Sequence, residues 1–433
     1  MALAFRFGVI GDPHVGLPQT IWDHPSRFHL IEVSIPALEE IFERLEAEKV
    51  DFLLIPGDLT QHGEVENHQW LADRLAQLPF PVYVVPGNHD VVQRHPEANR
   101  IGLQDFPRHY RACGYGPGDR LYYCQQVLPG VRLIGLNSNQ FDESGQQFRR
   151  GSVDSEQLEW LRQTLAGVGD DLVMVMIHHN VIAHLPAQDQ HPLGQRYLLE
   201  NHGELLGILN PQQVPLIFTG HLHVQDIARR LWAEAPGDRV SGDRAQGDQV
   251  QCDQPSIDQP HLGPAASTVH PTDRDPQTIP PHPVAQWEVT TGSLVSYPHP
   301  YRICQFEQDD RGNCHLSIQS PRITSVPPKF PDLQALSRQW MGDRSPQFMT
   351  RLLTAPPLGL SDAEAAPLLP SLRDFWANIA NGNPQFNFSD FPDSIRPFFE
   401  QFNDPWAASA PGQQPRSDND TTLFFSRSVP RSL

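Results

Sequence analysis

The sequence predicts an α/β fold, and two observations carry that expectation. Across residues 1–235, short apolar runs of strand length alternate with stretches of amphipathic helical spacing. Five of the apolar runs end in a small cluster rich in Asp, His, Asn and Gly. In α/β proteins the functional groups gather in the crevice beyond the carboxyl ends of strands, so five loops far apart in the chain can converge on one site.

The elements follow in order. Residues 5–10 read as a strand running into Gly11, Asp12, Pro13 and His14. Leu38, Ile41, Phe42 and Leu45 have the i, i+3, i+4, i+7 spacing of a helix with one buried face, and Pro36 sits near its start. Residues 52–55 are a buried-strand run followed by GDLT, and residues 64–78 form a helix. Residues 82–85 are a strand ending in PGNHD, and residues 131–136 are another strand. Asp154 is placed to cap a helix through Leu165, with Gln157 three residues on as in a capping box. Residues 172–177 are a strand ending in His178 and His179, and residues 216–218 a strand ending in TGHLH.

Residues 236–283 break the pattern. Asp238, Asp243, Asp248, Asp253 and Asp258 recur every five residues in polar, Pro-containing pentads that cannot bury a core, so a disordered insertion is expected. Strand character resumes over residues 287–297 and 301–306. The expected organisation is a domain over residues 1–326, interrupted by that insertion, and a partly helical C-terminal extension over residues 327–433. Within the extension, Leu333, Leu336 and Trp340 mark one helix, and Leu368, Leu372, Phe375, Trp376 and Ile379 a second. Phe386, Phe388, Phe391, Phe398, Phe399 and Phe402 read as faces packed on the main domain, and residues 408–420 as disordered.

Composition bounds the function. A chain of 433 residues is long enough for two or three domains and a sizeable core. With 39% hydrophobic and 19% charged residues, most of it should be globular, while its 43 prolines crowd into the second half. A formal net charge of -19 repels long nucleic acids, whose binding rests on many Lys and Arg contacts. A small phosphorylated substrate stays open, because bound cations reverse the local potential. Cys113, Cys124, Cys252, Cys304 and Cys314 are odd in number and include no CxxC pair, which reads as reduced thiols in a reducing compartment. The first residues lack the basic and long apolar regions of a secretory signal, and no apolar stretch reaches the ~18 residues of a bilayer span. A soluble, cytoplasmic protein with no membrane partner is expected, a homodimer being left open.

Five clusters carry the chemistry: GDPH (11–14), GDLT (57–60), GNHD (87–90), His178 with His179, and GHLH (220–223). Each alone has a bland account, a turn for Asp-x-His and a surface or hydrogen-bonded pair for adjacent histidines. Their joint occurrence, each after a strand, does not. A mixed Asp, Asn and His set without thiolates suits divalent Mn, Fe, Zn, Co or Ni. The spacing in Asp12-x-His14 and His221-x-His223 lets one extended segment offer two donors.

This ordered set resembles the calcineurin-like metallophosphoesterase superfamily, whose pattern is GDxH, GDxx, GNH[DE], a His and GHxH. The likeness covers about residues 5–235 with 284–306. PGNHD, the His pair and the spacing from Gly57 to Gly63 are most similar to the class III cyclic nucleotide phosphodiesterases and related glycerophosphodiesterases. The resemblance implies a four-layered α/β/β/α sandwich with two divalent metal ions. Asp12, His14 and His223 would hold the first, Asn88, His178 and His221 the second, and Asp58 would bridge them. Two cations about 3.5–4 Å apart activate a water and clamp a phosphate. The expected reaction is in-line attack on phosphorus by a metal-bridging hydroxide, with His89 protonating the leaving oxygen and Asp90 orienting His89. Relatives often follow the His pair with prolines. Asn180 and Val181 stand here instead, a departure that bears on the substrate pocket and not on a ligand.

The expected substrate is a small phosphodiester of cyclic nucleotide or glycerophosphodiester type. A phosphomonoesterase with the same site and a non-catalytic metal-binding scaffold are the alternatives, although a scaffold should have lost ligands and none is missing. His179 fits a role beside the site or plain packing equally. His62, His68 and His184 read as solvent-facing or hydrogen-bonded, and Asn137 as a turn or pocket residue.

Overall fold

The computed structural model describes residues 3–24, 27–210, 213–231, 285–403 and 417–427. The expected insertion over residues 236–283 lies wholly outside the described residues, and so do residues 408–416 of the stretch expected to be disordered.

The described strands form two six-stranded sheets. The first contains β1 (Leu3–Val9), β2 (Phe52–Ile55), β3 (Val82–Val84), β10 (Arg302–Gln308), β11 (Asn313–Gln319) and β12 (Thr421–Ser426), in the order β12-β11-β10-β1-β2-β3. The second contains β4 (Tyr123–Leu128), β5 (Val131–Gly135), β6 (Leu172–Met176), β7 (Leu216–Thr219), β8 (Asp226–Leu231) and β9 (Ala285–Thr290), in the order β4-β5-β6-β7-β9-β8. Strands β1, β2 and β3 run parallel, as do β5, β6, β7 and β9. Of these, β2, β3, β6 and β7 are the nearly continuous apolar runs that sheets covered on both faces require, whereas β9 carries the buried Gln286 and Glu288.

The two sheets face each other. Alternation in β1 and β2 turns Phe7 and Phe52 inward, their rings stacked at 5.0 Å, and Phe7 meets Phe218 of the other sheet edge-on at 5.4 Å. Each large apolar side chain so buried contributes about 1.5–3 kcal/mol. On the outer face, Gly8 leaves room for Leu45 of the helix Ser34–Ala47. The helices Ser155–Gly167 and His202–Ile208 cover the second sheet, packing Leu158, Leu161 and Leu205 on Ile134, Val175 and Ile217. The layering is therefore α/β/β/α.

Local details depart from expectation in informative ways. Asp154 caps its helix by accepting the Gln157 N–H at 2.8 Å, but the Gln157 side chain does not close the box. It exchanges hydrogen bonds with the backbone of Asn137 instead, tying the helix to the end of β5. The strand expected over residues 287–297 ends at Thr290, and the following segment buttresses the first motif, with Leu294 N–H on Gly11 O and Ser293 Oγ on Asp12 O. In the C-terminal region, Leu333–Thr354 is one helix, whereas the second expected helix splits into a 3-10 turn, Ala366–Leu372, and a helix, Phe375–Ala380. Pro370 lacks the N–H that an unbroken α-helix needs there. The aromatic residues 386–402 close a separate core with Met349, Leu352 and Phe375, and that core takes in Tyr197, Leu222 and Val224. Among the described residues no helix is long and apolar enough to cross a membrane.

Candidate metal centre

The loops after β1, β2, β3, β6 and β7 meet at one end of the two parallel segments. Their backbone is strained. Asp12 (φ 41°), His14 (φ 41°), Asp58 (φ 50°), His221 (φ 66°) and His223 (φ 59°) all lie in the left-handed region. That conformation costs a non-glycine residue about 1–3 kcal/mol and persists only where its surroundings overdetermine it. Here they do. His14 N–H donates to Asp58 O at 2.9 Å, Gly220 N–H to His178 O at 3.1 Å, and His221 N–H to Asp12 Oδ1 at 3.0 Å. Two motif glycines are explained by close approach: a Cβ at Gly87 would lie 2.2 Å from Asp58 Oδ1, and one at Gly220 2.6 Å from Asp12 Oδ2.

The seven side chains expected as ligands come together. Asp12, His14, Asp58 and His223 offer donor atoms within 4.8 Å of one another, and so do Asp58, His178 and His221. Asp58 belongs to both groups. Asn88 joins the second through its Oδ1, 3.1 Å from His178 Nε2. His178 Nε2 lies 3.3 Å from Asp58 Oδ1, and His14 Nε2 lies 3.7 Å from Asp58 Oδ2.

Neighbours set which nitrogen each imidazole turns inward. A ligating histidine ordinarily donates its other N–H to a carbonyl or carboxylate, which fixes ring and tautomer. His178 Nδ1 meets Pro56 O at 2.8 Å, turning Nε2 toward Asn88 and Asp58, and His221 Nε2 meets Arg196 O at 3.1 Å, turning Nδ1 inward.

The donor set fits divalent cations. Asp58 Oδ2 and His14 Nδ1 are buried, and neither has a hydrogen-bond partner among the described residues. A buried carboxylate oxygen left so is costly unless a cation or donor reaches it. Burial disfavours charge on His178, but Asp58 and Asp12 outweigh it and pull the group up to about 9. Asp58 is held well below the usual carboxylate range by His178 and His89 despite its burial. Two buried carboxylates, Asp58 and Asp12, thus set a negative potential here that a cation would offset. Oxygen and imidazole donors without thiolate suit borderline first-row metals.

His89 lies beside this cluster, its ring 4.8 Å from that of His14. Its Nδ1 donates to Gln61 O at 2.7 Å. The expected orienting role of Asp90 takes another form. The Asp90 carboxylate accepts from Gly87 N, Thr60 N and Thr60 Oγ1 and does not touch the His89 ring. It braces two motif loops, and the Gln61 carbonyl holds the imidazole.

Other residues are placed as follows. His68 is buried between Thr60, Tyr110 and Asp90 O, as a hydrogen-bonded histidine should be. His62 stacks between His89 (5.8 Å) and the half-exposed Trp22 (5.0 Å). His179 bonds Ser138 and packs 4.2 Å from the His221 ring, so it sits beside the site. Asn137 takes the turn role, its side chain bonding the backbone of Asn139. His184 is an internal ion-pair member, wedged between Asp226 and Glu288.

That ion pair accounts for Asn180 and Val181. The buried Glu288 carboxylate accepts from Asn180 Nδ2, Val181 N, Ile182 N and Thr219 Oγ1. A proline at position 181 would remove one of those donors. Sequence inspection missed Glu288, Gln61, Tyr197 and His29. Tyr197 packs its ring 5.2 Å from His221, and His29 Nε2 lies 3.1 Å from His223 Nδ1. No motif spacing marks any of the four.

Two sheets flanked by helices, with Asp, Asn and His donors gathered at their strand ends, define the class of metal-dependent phosphoesterases. The chain belongs to the calcineurin-like phosphoesterase family, whose model matches residues 5–225. It is 28% identical over 194 residues to a probable cyclic nucleotide phosphodiesterase of Synechococcus sp., covering 44% of this chain and 65% of that one. It is 27% identical over 200 residues to a probable glycerophosphodiester phosphodiesterase of Arcobacter nitrofigilis, covering 42% and 60%. It is 29% identical over 178 residues to the 3',5'-cyclic adenosine monophosphate phosphodiesterase of Escherichia coli K12, covering 40% and 54%. Each match spans less than two thirds of the relative's own length.

Proposed function

We propose that the chain hydrolyses a small phosphodiester, with one divalent cation held by Asp12, His14 and His223, a second by Asn88, His178 and His221, and Asp58 shared between them. The observation that carries this is the convergence of two donor groups on one carboxylate, Asp58. When bound, such a cation pair supplies an activated water and a clamp on the phosphate. The protein's own part is positioning and proton transfer. His89 has its Nδ1 fixed by Gln61 O, which leaves Nε2 to carry a proton to the leaving oxygen. Asp90 holds the Gly87 and Thr60 loops in register beneath it.

The surroundings favour a nucleotide-type diester. Trp22, 52% exposed, and His62 continue outward from His89 as a series of tilted, stacked rings. A base carried on the sugar whose oxygen leaves past His89 would meet these aromatic faces, and base stacking on such faces is worth about 1–3 kcal/mol. The net charge of -19 disfavours a long nucleic acid. Among the described residues Cys113, Cys304 and Cys314 are buried and unpaired, which suits a reducing, cytoplasmic compartment. In this proposal residues 1–326 supply the donors, and the extension from 327 braces them.

The test is turnover with Mn of a cyclic nucleotide, a glycerophosphodiester, bis(4-nitrophenyl) phosphate and 4-nitrophenyl phosphate. Diesters should be hydrolysed faster than the monoester. Preference for the monoester would make the protein a phosphomonoesterase. Protein carrying two Mn ions yet inert on all four would reject enzymatic function.

A further inference from the structure

Among the imidazoles at the centre, His223 is held by another side chain. His178, His221 and His89 each lean on a backbone carbonyl, of Pro56, Arg196 and Gln61. His223 instead meets a side chain: its Nδ1 lies 3.1 Å from His29 Nε2, while its Nε2 faces His14 Nε2 at 3.3 Å and Asp12 Oδ1 at 3.6 Å. Two imidazole nitrogens 3.1 Å apart share a single proton. With His223 Nε2 turned toward the donors of Asp12 and His14, that proton belongs on Nδ1, and His29 Nε2 accepts it.

We propose that His29 is a positioning residue for the first cation, accepting the Nδ1–H of His223 and so fixing the tautomer and ring orientation that leave His223 Nε2 for the metal. The inference rests on the metal assignment above. The residues around His29 are held from two sides. Leu30 N–H donates to Val295 O at 2.7 Å, and Trp340 Nε1 donates to Arg27 O at 3.0 Å with the Arg27 guanidinium 5.4 Å from the same indole ring. Phe28 packs against Phe348 at 6.2 Å. Trp340 and Phe348 lie on the long helix Leu333–Thr354. The C-terminal region therefore anchors the residues that flank His29, which gives the helix a part in metal binding although it carries no ligand.

The test compares Mn binding, by equilibrium dialysis and isothermal titration, in the wild-type chain, His29→Leu and His29→Gln. Leucine removes the acceptor at similar volume, and glutamine restores an acceptor oxygen at about the same reach. Loss of such an outer partner typically weakens metal affinity ~10–100-fold. His29→Leu should weaken one of the two Mn ions by that factor and leave the other unchanged, whereas His29→Gln should retain most of the affinity. Wild-type affinity for both ions in His29→Leu would overturn the proposal. So would equal weakening in both variants, which would make His29 a ligand in its own right. A wild-type chain that fails to bind two Mn ions would reject the metal assignment instead, a distinct outcome.

Discussion

Asp58 Oδ1 accepts the backbone N–H of His89 at 2.8 Å, so the carboxylate common to both donor groups also fixes the loop that carries the proposed acid. Its other oxygen is left without a hydrogen-bond partner among the described residues. Oδ1 also lies 3.3 Å from His178 Nε2 and Oδ2 lies 3.7 Å from His14 Nε2, so each oxygen faces one of the two donor groups. Asp58→Asn keeps an acceptor for His89 and loses the charge, while Asp58→Ala loses both. Both variants should lose at least one Mn by elemental analysis and roughly 10³-fold or more in kcat/KM. Full activity with both ions bound in Asp58→Ala contradicts the assignment.

His89 should separate from the ligands by a different signature. His89→Ala is expected to retain both Mn ions and to lose roughly 10²–10⁴-fold in kcat, the usual worth of a positioned acid or base. The loss should shrink for a substrate whose leaving group needs no proton, such as a 4-nitrophenyl ester. An equal loss on good and poor leaving groups would leave His89 without an acid role.

His184 makes folding sensitive to alkali. Its side chain is buried, and although burial opposes its charge, Glu288 and Asp226 raise the group to about 9 from 6.5. A histidine raised in the folded state contributes stability that is fully present below pH 6.5 and is lost as pH rises through 9. The difference amounts to about 3 kcal/mol as an upper figure. The melting temperature of the wild type should therefore fall between pH 6.5 and 9, and that alkaline limb should flatten in His184→Gln. Parallel profiles for the two proteins would exclude His184 as the source.

Val181→Pro should destabilise the fold. It deletes the N–H that reaches Glu288 Oε2 at 3.0 Å and leaves that buried carboxylate a donor short. The expected cost is about 1–3 kcal/mol by urea denaturation. An unchanged midpoint would mean that the remaining donors suffice.

Leu222 lies between His221 and His223 in sequence, is fully buried, and belongs to the core built by the C-terminal helices. Leu222→Ala should cost about 2–5 kcal/mol, and Mn affinity should drop with it because the flanking histidines lose their anchor. Lost stability with unaltered Mn affinity would uncouple that core from the metal centre.

The donors were legible in the sequence because each sits where an apolar run stops, and because Asp, Asn and His recur there in a fixed order. The strands β1, β2, β3, β5, β6 and β7 were equally legible, being mostly buried and so dominated by apolar residues, with Arg6 and Arg132 the charged exceptions. Strands β4, β8, β11 and β12 were not. Gln125 and Gln126 of β4, Arg229 and Arg230 of β8, and His315 and Ser317 of β11 interrupt the apolar run at the margins of the sheets, and the pattern blends into loop. His29 stands in a loop with no periodic partner, and its meaning comes from His223, 194 residues away. Gln61 acts through its backbone carbonyl, for which residue type carries no signal. Glu288 looks like any charge in a strand until the fold brings residues 180–182 onto it.

Anomalous diffraction from a crystal of the protein grown with Mn tests the central claim most directly. Two peaks should appear, one among Asp12, His14 and His223, the other among Asn88, His178 and His221, with the Asp58 carboxylate between them. A single peak, or Mn bound elsewhere with Asp58 touching neither ion, would contradict the account.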